Sequence, residues 1–194
     1  MHKLHIGCGD HIIEGWLNTD GHPWAAGVTK LDATQVFPFP DASFDYIYSE
    51  HMIEHVSFDS GSKMLSECFR VLRPGGHLRV CTPDLEFLVD LYKDAKTRLQ
   101  VEYIEYALDN ENDTPFHDEV FIINNFFRKW GHCFIYNERV LKAALQIAGF
   151  KDIKRCKLQE SQHKDLAGLA NDTRMPAGFL ELETLTLEAT KMPA

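Results

Sequence analysis

The chain has little that would staple it, anchor it in a membrane or divide it. Its five cysteines, at positions 8, 68, 81, 133 and 156, are odd in number and contain no C-x-x-C pair. That argues against a disulfide framework or a zinc ribbon and suits free thiols in a reducing compartment. No apolar run approaches the roughly 20 residues that cross a bilayer. Met1-His2-Lys3-Leu4 enters a glycine turn with none of the apolar stretch of a secretion signal, so the sequence reads as cytoplasmic, with no membrane partner. Positive charge is scarce: 20 Lys and Arg stand against 29 Asp and Glu, a formal charge of −9. A nucleic-acid partner is not expected, because few side chains are available to neutralise phosphates. Repeats, low-complexity stretches and Gly/Ser/Pro linkers are also missing, so residues 1–194 read as one domain. What remains is ordinary globular material, 44% apolar and 25% charged. A chain of this length buries roughly 70% of its unfolded surface without staples.

Short apolar runs alternate with helical patterns. Leu4 to Ile6 reads as a first strand running into Gly7-Cys8-Gly9, Trp16 to Thr19 as a second ending at Asp20, and Val28 to Leu31 as a third ending at Asp32. Phe44 to Ser49 is dense enough in apolar residues for a buried parallel strand. Asp59 or Ser60 is positioned to cap a helix whose apolar face is Met64, Leu65, Cys68, Phe69 and Leu72, stopped by Pro74-Gly75-Gly76. A fifth strand carries Leu78 and Val80. Asp84 and Asn137 read as caps of later helices, the second closed by Gly149. A sixth strand is expected over Ile153 to Leu158, and a seventh where Leu185, Leu187 and Ala189 alternate. This alternation predicts an α/β fold with a mainly parallel sheet. The helical, aromatic-rich stretch 84–136 has no sheet role and reads as a lid.

Three features stand at successive strand ends, where open α/β sheets bind ligands. A G-x-G turn lets the backbone approach a ligand closely. Asp20, eleven residues past Gly9, is placed to accept a ribose diol, and Asp32-Ala33 end the next strand. Taken singly, each Asp is a turn or cap residue; the three together are more specific.

The ordered segments Leu4-His5-Ile6-Gly7-Cys8-Gly9, Pro38-Phe39-Pro40-Asp41-Ala42-Ser43-Phe44-Asp45-Tyr46-Ile47, Ser49-Glu50-His51-Met52-Ile53-Glu54-His55 and Leu72-Arg73-Pro74-Gly75-Gly76-His77-Leu78 resemble the motifs of class I S-adenosylmethionine-dependent methyltransferases. The match is to the type 11 group, within it to small bacterial members of sugar and surface-polysaccharide pathways. The resemblance covers residues 3–82 and continues more weakly to the last strand. It implies a Rossmann-like seven-stranded sheet with an antiparallel last strand, S-adenosylmethionine as cofactor, and methyl transfer to an oxygen or nitrogen of a small polar acceptor such as a nucleotide sugar. It places Gly7, Cys8 and Gly9 under the methionine part, Asp20 at the ribose, Asp32 and Ala33 at the adenine edge, and Ser49, Glu50 and His51 on the methyl-transfer side. His51 is the expected proton acceptor. His132, in the aromatic stretch Phe126-Phe127-Arg128-Lys129-Trp130-Gly131-His132, is the second choice. His117, Arg128, His163 and Arg174 are weaker pocket candidates.

Two departures carry structural consequences. His11 stands where a third glycine is usual. Only Asp10 to Gly15 and Gly21 to Gly27 connect the first three strands, too few for crossovers containing helices. One sheet face is therefore left to be covered by residues 84–136 or by a partner subunit in a homodimer. Three other functional readings compete. His51-Met52-Ile53-Glu54-His55 matches the H-x-x-E-H string of inverted zinc peptidases. The same segment is similar to a Glu-x-x-Glu-His segment that binds a divalent ion in some methyltransferases, with His51 at the first Glu. A non-catalytic cofactor-binding protein would share the fold. The expectation is a methyltransferase with no resident metal.

Overall fold

The computed structural model describes residues 1–111 and 116–193; residues 112–115 of the 84–136 segment lie outside them. Seven strands, β1 (Lys3–Ile6), β2 (Leu17–Asp20), β3 (Thr29–Lys30), β4 (Phe44–Glu50), β5 (Leu72–Pro83), β6 (Lys151–Arg155) and β7 (Thr184–Thr190), form one sheet in the order β3-β2-β1-β4-β5-β7-β6. The first five run parallel, and β7 is antiparallel to both of its neighbours. The register sets Ile6 beside Thr19 and Ser49, so β1, β2 and β4 end close together. Strand order reverses between β1 and β4, which opens a crevice at their carboxyl ends.

Side-chain parity divides the sheet into two faces. Leu4, Ile6, Ile47, Leu78, Val80, Leu185 and Leu187 face α1 (Phe58–Val71) and α5 (Glu138–Ala148), and together they make the main core. Asn137 caps α5 by accepting the Val140 N–H at 3.0 Å, and Gly149 closes it in the left-handed conformation, as the sequence predicts. The cap of α1 lies earlier than expected, at Ser57, whose Oγ accepts the Ser60 N–H. Beyond the strand tips, α2 (Leu85–Leu91), α3 (Arg98–Glu111), α4 (Glu119–Arg128) and α6 (Phe179–Glu183) share a second apolar cluster around Phe87, Leu91, Tyr103, Ile122 and Phe126. Asp84 caps α2 as predicted.

The short crossovers hold no helix. The sheet face they leave bare is covered by residues 156–178, the connection from β6 to α6, and not by residues 84–136. Leu158, Leu166 and Ala170 pack there against Trp16, Tyr48 and Cys81. Arg79, fully buried on this face, anchors the cover. Its guanidinium donates to the carbonyls of Lys157, Leu158 and Glu160 and pairs with Glu188. This also corrects the sixth strand, which stops at Arg155 instead of Leu158 because the next carbonyls turn toward Arg79. All five cysteines are free thiols, and no helix among the described residues is long and apolar enough to cross a membrane.

Candidate active site

A cleft of about 600 Å³ lies over the tips of β1, β2 and β4, lined by Gly7, Gly9, Asp20, Asp32, Ala33 and His51 together with Met52 and His55. Both glycines have positive φ, 69° at Gly7 and 50° at Gly9. A Cβ on Gly7 would collide with the Met52 side chain, whereas one on Gly9 would meet nothing within 4 Å; the open space above Gly9 belongs to the cleft. Asp20 fastens the turn by accepting the Gly9 N–H at 3.0 Å and the His22 N–H at 2.8 Å. A carboxylate has further lone pairs and can still accept from a ligand. Asp32 accepts the hydroxyl and the N–H of Thr34, which hold its carboxyl below the usual range.

Three residues singled out in the sequence do not line this cleft. Cys8 is buried with its thiol toward the Gly9 carbonyl, and burial raises its pKa. Ser49 is fully buried. Glu50 alternates to the opposite face, where it lies 3.5 Å from His11 Nδ1 and accepts the Asn171 N–H. Burial opposes its charge, but His11, His51 and Arg174 keep its carboxyl below the ordinary value.

A second cavity, about 310 Å³, lies beneath the helices α3 and α4 and is lined by His51, Glu54, His55, Tyr103, Tyr106, Phe126, Trp130, His132, Arg174 and Glu183 among others. His51 and His55 also line the first cleft, so the two cavities share them as a common wall. His51 adopts φ 47°, a strained conformation for a side-chain-bearing residue. Its Nε2 is 3.0 Å from Thr184 Oγ1 and its Nδ1 is 3.4 Å from Glu54 Oε1. Glu54 is fully buried on a 3₁₀ turn (Ile53–His55). Burial alone would raise its pKa, but the imidazoles of His51 and His55 hold the carboxyl below the usual range. Its Oε2 accepts the Thr82 hydroxyl. Its backbone carbonyl accepts the N–H groups of Cys133 and Phe134, which draws the 129–134 loop against the turn. His132 Nδ1 therefore reaches the Phe126 carbonyl at 2.8 Å, and burial lowers its pKa. Glu183, buried opposite, accepts the Tyr103 hydroxyl at 2.5 Å, and its pKa is raised by burial. Neither acid was singled out by itself in the sequence; only Glu54 lay within a recognised string. Of the weaker candidates Arg174 lines this cavity. His163 stacks on His77 at the covered sheet face, and His117 and Arg128 are exposed. The peptidase reading needs His51 and His55 on one regular helix; the chain instead makes a left-handed residue and one 3₁₀ turn there.

Strand order, crevice and glycine turn define a class I methyltransferase fold. Residues 4–80 match the family model described as a methyltransferase domain. A 47-residue stretch is 51% identical to a probable S-adenosylmethionine-dependent methyltransferase of Mycolicibacterium smegmatis, covering 24% of this chain and 18% of that protein. Two solved structures share the fold. An S-adenosylmethionine-dependent methyltransferase from Archaeoglobus fulgidus has a TM-score of 0.59 at 18% identity over 98% of this chain and 86% of that one. The Haemonchus contortus phosphoethanolamine N-methyltransferase 2 in complex with S-adenosyl-L-methionine has a TM-score of 0.52 at 16% identity over 100% of this chain and 49% of that one. The chain thus shares the fold of these methyltransferases, and residues 4–80 carry its methyltransferase-domain match.

Proposed function

We propose that the whole chain transfers a methyl group from S-adenosylmethionine to a hydroxyl or amine of a small polar acceptor. The carrying observation is the wall that the two cavities share, with His51 standing between a cleft sized for a nucleoside-bearing ligand and a pocket roofed by aromatic side chains. The cleft suits the cofactor: open backbone at Gly9, a carboxylate at Asp20 for the ribose, and Asp32-Ala33 for the base edge. When bound, the cofactor supplies an electrophilic methyl carbon on a sulfonium. The protein then has to align an acceptor atom behind that carbon and remove its proton. With a hydroxyl acceptor, the proton released on methylation would have to pass to the protein. His51 is the proton acceptor in this reading. The buried Glu54 carboxylate faces Nδ1 and orients the ring, and Nε2 is reached by the acceptor in place of the Thr184 hydroxyl. His51 and Glu54 sit at the end of β4, so their placement follows from the strand register. Sugars and nucleotide sugars are the acceptors to which the resemblance in sequence points. The test is a screen of hydroxyl and amine acceptors, nucleotide sugars included, with isotopically labelled methyl donor. Label transfer to one class establishes the acceptor; tight cofactor binding with no transfer to any class would leave a binding protein and overturn the reading.

A further inference from the structure

We propose that Arg174 receives an anionic group, a phosphate or a carboxylate, carried by the methyl acceptor. The inference deepens the proposed function and rests on it for what the pocket holds. Arg174 is the one permanent cation among the described residues that line the acceptor pocket. The other basic groups there, His51, His55 and His132, carry charge only when protonated. The Arg174 guanidinium makes no ion pair and no hydrogen bond with any described residue.

The guanidinium is uncommitted, but the backbone that carries it is fixed. Arg174 ends the 3₁₀ turn Asp172–Arg174. Just before the turn, the Asn171 N–H donates to Glu50, and the Asn171 side chain accepts the Thr173 hydroxyl at 2.9 Å. Just after it, Met175 packs against both the apolar cluster of α2, α3 and α4 and the cluster beneath the cover. The acids within its field are already engaged. Glu50 faces His11 and accepts the Asn171 N–H, and Glu183 accepts the Tyr103 hydroxyl. Burial works to raise the pKa of each, His11 opposes it at Glu50, and His51 and Arg174 oppose it at both. Imidazole and guanidinium therefore act on the same two carboxyls, which stand at the end of β4 and the start of β7.

A planar fork of N–H donors on a fixed stem suits two oxygens of one anionic group. Arg174 is exposed, and bidentate pairing would replace the water around it. The pocket, about 310 Å³, is at the small end of ligand sites, so one anchor near His51 restricts how an acceptor lies. The aromatic walls take the body of the molecule, Arg174 its anion and His51 the atom to be methylated. Among sugars this favours sugar phosphates, uronic acids and nucleotide sugars over neutral ones.

The test compares matched compounds on the full chain saturated with S-adenosylhomocysteine. Glucose, glucose 6-phosphate and glucuronate form one series; glycerol, glycerol 3-phosphate and glycerate form the other. Calorimetry is expected to show a charged member binding about tenfold to a hundredfold more tightly than its neutral parent in at least one series. Phosphate ahead of carboxylate, or the reverse, identifies the group that is read. Arg174→Gln should erase the preference, and Arg174→Lys should keep part of it, because the charge remains without the fork. Arg139→Gln, in an exposed residue of α5, should leave it intact. Urea midpoints confirm that each variant is folded. A wild type with no preference for a charged member, or a preference that survives in folded Arg174→Gln, overturns the proposal. So does a loss of S-adenosylmethionine affinity in that variant, which would place the guanidinium on the cofactor. An Arg174-dependent preference with no methyl transfer to any acceptor would instead fall on the proposed function and leave the anion site standing.

Discussion

At the residue scale, the glycine turn and Asp20 make opposite demands. Gly7 has no room for a side chain, whereas Gly9 has open space and only a backbone conformation to pay for. Gly7→Ala is expected to destabilise the fold in urea titration. Gly9→Ala should remain folded with a loss of about 1–2 kcal/mol for the left-handed conformation while weakening S-adenosylmethionine binding in calorimetry, because its methyl enters the cleft. Asp20→Ala removes a carboxylate that both pins Gly9 and faces the ligand. A tenfold to hundredfold loss of cofactor affinity, from about 1.5–3 kcal/mol of charge-assisted bonding, is the expected outcome; unchanged affinity in a folded variant would remove Asp20 from the site. With an acceptor in hand, His51→Gln should slow single-turnover transfer by on the order of a hundredfold and spare cofactor affinity. Legibility at this scale followed strand parity. Asp20, Asp32 and His51 stand at or just past strand tips and were readable. Glu50 was assigned to the wrong side because a motif carries no parity, although Tyr46, Tyr48 and Glu50 alternate onto one face. Glu183 left no local signal, since its partner Tyr103 lies 80 residues away.

At the element scale, elements with a strong period were read well and those built on polar anchors were not. α5 announced itself by its cap, its apolar spacing and its closing glycine. Loss of the cap in Asn137→Ala is expected to cost about 1 kcal/mol in chemical denaturation. The cover over residues 156–178 has no period to read, because it is held by one guanidinium on three carbonyls. Arg79→Met leaves those carbonyls and the Glu188 carboxylate without their cation. A loss of roughly 3–5 kcal/mol is expected, together with faster hydrogen exchange in residues 157–170. Exchange unchanged there would mean that apolar packing alone holds the cover.

At the scale of the whole molecule, the covered face sets an acid limit on stability. His5 is buried beside Tyr48, with His11, Glu50 and Asp20 as its charged neighbours, and burial lowers its pKa to about 4. An unfolded histidine titrates near 6.5, so the unfolded chain binds the extra proton first as pH falls. The contribution of this residue is complete above about pH 6.5 and is lost progressively down to pH 4, by about 3 kcal/mol. Glu183, with its raised pKa, acts in the opposite sense as pH rises above the ordinary carboxyl range. The difference in denaturation midpoint between wild type and His5→Gln, followed from pH 7.5 to 4, isolates the histidine; a flat difference would refute the assignment. The same face has a consequence for synthesis. Strands β1 to β5 are complete at Pro83, but the first residue that closes over them, Leu158, is made about 75 residues later. At about 5–20 residues per second, a ribosome leaves that interval open for roughly 4–15 seconds. Tyr48, Cys81 and an unpaired Arg79 then face solvent on a nascent chain whose glycine turn already exists, so premature release or a stall in this window yields a sticky half-molecule.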